Sequence, residues 1–188
     1  MKKIKITAIF LAIIICVLAL TSCKDESGVP NGMVEVVSEY TDFRLFVPSG
    51  WTPDVTTGFV SAQTLDKSNI SVEVVAADRV DASSESAVGY TVTYGGISYA
   101  GISKFVSDYY FDTLSKTMPG IKLEEQYTTD QTLGDAPDVC KYVYTVEIGG
   151  KAYRIMQTFA LRASKIYILT YTAEDANYSK HTDDVEKI

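Results

Sequence analysis

The chain opens with a short basic stretch, residues 1–5, followed by an almost unbroken apolar run over residues 6–20. From Met33 onward the pattern changes to short runs of alternating apolar and polar residues separated by turn residues, which predicts strands buried on one face. Residues 43–47 place Phe43, Leu45 and Val47 on one side and Arg44 and Phe46 on the other, before Pro48, Ser49 and Gly50 stop the run and Trp51 follows. Residues 70–76 predict a second strand, with Ile70, Val72 and Val74 toward the core and Ser71 and Glu73 opposite. Residues 78–98, rich in Ser, Gly, Ala and Tyr, have no persistent period and read as a long loop or irregular insert. The plainer alternative for that stretch is an idle insertion or an extra edge hairpin through Tyr90 and Tyr94.

Period 3.6 appears next. Ile102, Phe105, Val106, Tyr109, Thr113 and Leu114 share one broad helical face, and Pro119 and Gly120 end the helix. Residues 121–128 read as a strand, and Asp135, Ala136 and Pro137 as a turn. Residues 139–148 follow, with Cys140, Tyr142, Tyr144, Val146 and Ile148 alternating with Lys141, Thr145 and Glu147. Gly149 and Gly150 between two alternating runs predict a tight hairpin to a strand over 153–161, and residues 166–172 extend this to a three-strand antiparallel meander. Residues 175–188 predict a terminal helix with Asp175 as its N-cap and Tyr178, Val185 and Ile188 on one face. It ends on an apolar helical position without a capping glycine, the pattern of a frayed or truncated helix. Together these elements predict an α+β domain, an antiparallel β-sheet flanked by helices in an α/β/α layered arrangement.

The opening pattern of basic, apolar and then small polar residues is the order of a secretory signal, and its apolar run is shorter than a comfortable bilayer span. Leu20, Thr21, Ser22 and Cys23 resemble the lipobox of bacterial lipoproteins. In that family a peptidase recognises the residues before the cysteine and cuts just ahead of it, and the cysteine sulfur carries a diacylglycerol. The resemblance implies that residues 1–22 are a signal peptide and that Cys23 is the lipidation site, with no cofactor beyond that covalent lipid. Two acyl chains of the palmitate class give stable anchoring where one gives reversible binding. Residues 23–32, rich in charge, Ser, Gly and Pro, then form a flexible tether, and residues 33–188 form the domain. The expected location is the extracytoplasmic face of a bacterial cell membrane.

Charge narrows the partners. The formal net charge is −7, and residues 1–22 contain Lys2, Lys3 and Lys5 and no acid, so the remainder carries −10. An acidic chain repels phosphate backbones and anionic headgroups, which disfavours nucleic acid and polybasic membrane docking. Of the three cysteines only Cys140 lies in the domain, so it has no disulfide partner there and reads as a buried thiol.

Phe-Arg-Leu-Phe-Val-Pro-Ser-Gly-Trp over 43–51 resembles the opening strand and turn of PsbP-like domains of the PsbP/Mog1 fold. Tyr-Arg-Ile-Met-Gln-Thr-Phe from Tyr153 and Ile-Tyr-Ile-Leu-Thr-Tyr-Thr-Ala from Ile166 are similar to the closing hairpin of the same family. Members commonly add a short strand with a Ser-Phe pair after the terminal helix, and this chain stops before one. The resemblance implies a non-catalytic role: photosynthetic members are extrinsic accessory subunits, and Mog1 binds a small GTPase. No binding motif of those members has a counterpart here.

Catalytic chemistry has few candidates. The one histidine, His181, has Tyr178, Lys180, Asp184 and Val185 at helical spacing, which offers no second soft ligand, and it reads as a solvated surface residue. Glu124 and Glu125, if on a strand, point to opposite faces; Asp183 and Asp184 read as solvated acids. Asp78, Asp81 and Glu85 lack the order of a calcium loop. Catalytic residues and metal ligands are therefore expected to be absent. Asp78, Asp81, Glu85, Tyr90 and Tyr94 form the candidate partner-binding loop. The expected function is a non-catalytic binding or accessory module meeting an envelope protein partner. An envelope enzyme with a carboxylate or Tyr site, and a small-ligand-binding lipoprotein, are the alternatives.

Overall fold

The computed structural model describes residues 28–39, 41–56, 59–84, 89–129 and 139–188. A seven-stranded antiparallel sheet in the order β3-β4-β5-β12-β11-β10-β9 is its frame. Its strands are β3 (Thr52–Thr56), β4 (Phe59–Gln63), β5 (Asn69–Ala76), β9 (Lys122–Thr129), β10 (Val139–Ile148), β11 (Lys151–Arg162) and β12 (Lys165–Glu174). The predicted meander is β10-β11-β12. Its first turn is made by Gly149 and Gly150 at φ of 60° and 78°, a left-handed pair that only glycine adopts without strain. The β3–β4 hairpin escaped periodicity because β3 is exposed at all five positions and has no core face to pattern.

Strand alternation sends two sets of side chains to the two faces of this sheet. On one face Cys140, Tyr142, Phe159, Leu161, Ile166 and Ile168 are buried, and they meet a helix and a second sheet. The helix begins as α1 (Ile102–Phe105), widens into a π-helical stretch (Val106–Tyr110) and continues as α2 (Phe111–Thr117). The π turn advances each residue by a smaller angle than an α turn, so consecutive Tyr109 and Tyr110 both pack toward the sheet. Farther along, Phe111, Leu114 and Met118 pack on Tyr144, Val146 and Ile155. The predicted stripe is thus present; only its regular α pitch is interrupted.

The opposite face buries Val60, Ala62, Ile70, Val72, Val143, Met156, Leu169, Tyr171 and Ala173. It is covered by a two-stranded sheet of β1 (Met33–Val36) and β2 (Leu45–Pro48), by Trp51, and by the chain terminus. Phe43, expected inside the strand, precedes β2 and sets its ring edge-on to Tyr167, with centroids 6.0 Å apart. Val74, expected in the core, is half-buried. The terminal helix is shorter than its pattern predicts, a 3-10 turn (Tyr178–Lys180) and then α3 (Thr182–Val185). β12 runs on to Glu174, and Asp175, rather than capping a helix, pairs with Arg154 at 2.7 Å. Tyr178, Val185 and Ile188 still face the core as one set, because burial of those three side chains is satisfied by either backbone path.

Residues 78–98 depart from the loop reading and agree with its alternative of an extra hairpin through Tyr90 and Tyr94. Their described part is a three-stranded antiparallel sheet, β6 (Arg79–Ala82), β7 (Tyr90–Tyr94) and β8 (Ile97–Tyr99), in that order. Half-burial explains why no period was visible. Val92 is fully buried while Tyr90, Thr91, Thr93 and Tyr94 are all intermediate, so polar and apolar residues do not segregate cleanly. Among the described residues no helix is long and apolar enough to cross a membrane.

Candidate functional site

The candidate residues at 78–98 divide between two faces of the small sheet. Tyr90, Val92 and Tyr94 pack inward against α1 and the main sheet, and Thr91 and Thr93 alternate outward. Gly95 and Gly96, both at positive φ, turn β7 into β8, and the Gly96 N–H donates to Asp78 Oδ2 at 3.0 Å. β8 then brings Tyr99 under the helix. Four rings converge there: Tyr94 lies 5.2 Å from Phe105 and 5.1 Å from Tyr109, Tyr99 lies 5.6 Å from Phe105, and Phe105 stacks on Tyr109 at 5.6 Å. Edge-to-face and offset contacts of this kind each add about 0.5–1.5 kcal/mol beyond burial. Tyr94 and Tyr109 keep part of their surface in water, and Ile97, at the end of the same hairpin, is 57% exposed. Burial, assisted by the neighbouring Tyr109 and Asp108, pushes the Tyr99 hydroxyl above its ordinary range, so it stays neutral.

The outward face is polar. Arg79 pairs with Asp81 at 2.5 Å, and the Thr93 and Ser98 hydroxyls are 3.0 Å apart. Asp78 and Asp81 therefore serve a turn and an ion pair and do not converge on a common point; Glu85 lies outside the described residues. Among the described residues no group of three His, Cys, Asp or Glu side chains is placed to hold a metal ion. Sequence reasoning found Tyr90 and Tyr94 but missed that Tyr109 and Ile97 extend their surface and that the buried Tyr99 and Phe105 support it from beneath. Phe105 and Tyr109 stand on the predicted helical stripe, and nothing in one sequence says which strand that stripe meets.

A second cluster sits at the opposite end of the sheet. Registers define the two ends. Thr52 pairs with Gln63, Gln63 with Asn69 and Asn69 with Thr172 at one end, while Ala76 pairs with Lys165 at the other. The small sheet leaves from the Ala76 end, where Ala77 N–H donates to Ser164 O and Asp78 N–H to Thr93 O. Trp51 and the 64–68 turn mark the Asn69 end. His181, expected to be solvated, is in fact wedged there. Its Nε2 is 3.0 Å from Asp66 Oδ2, its ring meets Trp51 edge-on at 5.6 Å, and its side chain is 21% exposed. The partner lies far away in sequence, so helical spacing could not reveal it. Asp66 Oδ1 also accepts from Thr64 Oγ1 and from Ser68 N–H at 3.0 Å. The Thr64 hydroxyl foremost, with His181 and Ser68, holds the Asp66 carboxyl well below the usual carboxylate range. Tyr171 donates to Tyr178 O at 2.8 Å, and burial pushes its own ionisation up to about 12.

Leu20, Thr21, Ser22 and Cys23 lie outside the described residues. The segment that leads into β1 meets the domain at the Trp51 end: Ser49 N–H donates to Gly32 O at 3.0 Å, and Trp51 N–H to Pro48 O at 2.9 Å.

No protein-family model and no curated protein matches the chain. Solved structures do. The solution structure of cyanobacterial PsbP (CyanoP) from Synechocystis sp. PCC 6803 superposes with a TM-score of 0.53 at 14% identity, over 88% of this chain and 92% of that one. This likeness places the chain in the PsbP-like fold. LpqN of Mycobacterium tuberculosis, involved in cell envelope biogenesis, gives 0.43 at 13% identity over 85% and 82% of the two chains. A protein of unknown function from Pseudomonas aeruginosa, PA94, gives 0.44 at 16% over 82% and 92%.

Proposed function

We propose that this chain is a lipid-anchored, non-enzymatic binding module on the extracytoplasmic face of a bacterial cell envelope, and that it presents the β6–β8 sheet, with the half-exposed rings of Tyr94 and Tyr109 and the exposed Ile97, to an envelope protein. The observation that carries this reading is the polarity of the domain. The tether joins at the Asn69 end of the main sheet, through Gly32 and Ser49, whereas the small sheet leaves from the Ala76 end. A chain held by Cys23 would carry its half-exposed aromatic surface away from the membrane, where a partner can reach it. Tyrosine suits such a surface because its ring supplies contact area at low entropic cost and its hydroxyl tolerates water.

The displaced carboxyl and tyrosine groups answer to local structure: hydrogen-bond partners lower the one and burial raises the other. Among the described residues, every carboxyl that is displaced, at Glu35, Asp42, Asp66 and Asp108, is displaced downward by hydrogen-bonding partners. The displaced tyrosines, at 99, 110, 142, 144, 167 and 171, are all pushed upward, chiefly by burial.

The test has two arms in a bacterial host. Labelled palmitate should enter the wild-type chain and not Cys23→Ala, which should leave the membrane fraction. A photo-crosslinker at Ile97 should capture a discrete envelope protein that the same group at Val55, on edge strand β3, does not. Equal capture from both positions, or a label that survives Cys23→Ala, would refute the reading.

A further inference from the structure

The Asn69 end of the sheet carries an apolar side chain that the fold holds out in the open. Leu65 is 99% exposed, yet its turn is closely braced: Thr64 N–H donates to Ser68 O at 2.8 Å, Lys67 N–H to Thr64 O at 3.2 Å, and Ser68 N–H to Asp66 Oδ1 at 3.0 Å. Asp66 is in turn fastened to His181, and His181 to Trp51, one residue from the turn that receives the tether. Leu65 is therefore fixed relative to the point where the tether joins. Along the same end of the sheet, three strand spacings or roughly 15 Å away, the β10–β11 turn presents Ile148, 48% exposed. Lone exposed leucines are common. A braced one beside a tether, with a second apolar residue on the same rim, has a more specific explanation.

Tether length says what covers this rim. From Cys23 to Gly32 the chain reaches at most ~32 Å at roughly 3.3–3.6 Å per residue. β11 alone, twelve residues long, spans about 40 Å. A lipid on Cys23 can lie against the Asn69 end, and it cannot hold the Ala76 end against the bilayer without running the length of the domain. Charge fits too. Lys67 is exposed beside Leu65, and Lys151, paired with Glu174, lies beside Ile148, so the rim is mixed in sign. Lysine stems of this kind lie along an apolar boundary with their ammonium groups in water.

We propose that the rim formed by Leu65 and Ile148 rests on the lipid surface, with Leu65 inserted among the headgroups and upper acyl chains, so that the domain stands on the membrane in one orientation. This rests on the reading of Cys23 as the lipid anchor. The contact is apolar, so it should be insensitive to salt, in contrast to a polybasic patch.

The test uses the full lipidated chain in phosphatidylcholine vesicles, with an environment-sensitive thiol probe on Leu65→Cys or, as control, on Ile97→Cys. Cys140 is completely buried and does not compete for the label. Flotation first reports whether the chain is anchored; a chain that stays in solution refutes the anchor and this proposal with it. In floated protein the expected result is a blue-shifted probe at 65, quenched by bromine in the acyl chains and unchanged by salt, and a water-like probe at 97. Three outcomes overturn the proposal while leaving the anchor standing: equal, water-like probes; a shift at 65 abolished by salt; or a shift without vesicles that grows with protein concentration, which would put a second copy there.

Discussion

Replacing Asp66 by alanine should be among the more damaging changes to a side chain that is not in the core. Three contacts go at once: the Thr64 hydroxyl, the Ser68 N–H at 3.0 Å and His181 Nε2 at 3.0 Å. Hydrogen bonds to a charged group contribute about 1.5–3 kcal/mol where water is excluded. The Asp66 side chain is 29% exposed, which lowers the first two to about 1 kcal/mol each and leaves about 0.5 for the partly solvated His181 contact. The expected loss is about 2–3 kcal/mol, or about 5–10 °C in Tm for a domain of this size. Loosening His181 also releases the edge of Trp51, so the emission of this sole tryptophan should change before global unfolding.

The loss should depend on pH in a definite direction. The folded-state carboxyl is held below its unfolded value of about 3.9, so its contribution is fully present above that value and disappears as pH falls through the folded pKa. Urea unfolding of wild type and Asp66→Ala should therefore give a difference that narrows below about pH 4. A difference under about 0.5 kcal/mol at pH 7, or one that widens below about pH 4, would refute the assignment of Asp66 as the brace of this end.

Three further substitutions probe other parts of the fold. Lys67 adopts φ of 71°, so Lys67→Gly should raise stability by about 0.5–1 kcal/mol, read as a higher urea midpoint at unchanged slope. Buried Gln157 donates to Tyr110 Oη at 3.1 Å and Thr170 Oγ1 at 3.0 Å, so Gln157→Ala should cost about 2 kcal/mol by stranding both, whereas an unchanged midpoint would mean water replaces it. Tyr171→Phe deletes the bond to Tyr178 O and should cost about 1–2 kcal/mol, with amide exchange rising first around Tyr178–Lys180.

Local patterning was a good guide wherever one face of an element meets the core and the other meets water. The Gly149–Gly150 hairpin and the helical stripe from Ile102 were legible for that reason, and β10 because Lys141, Thr145 and Glu147 punctuate it, although Val143 buries its second face as well. The PsbP-like fold was legible for the same reason, because the matching segments are core strands and turns. The pattern failed where burial is partial or the contact is distant. β7 looked irregular because its flanking tyrosines and threonines are all half-buried, and β3 because none of it is buried. His181 looked solvated because its partner, Asp66, lies 115 residues away. Composition and order along the chain are enough to predict the antiparallel α+β domain that begins at Met33. Which end of the sheet Gly32 and Ser49 lie at, and which end carries the tyrosine cluster, follow from strand pairings between residues far apart, and a linear pattern does not encode those pairings.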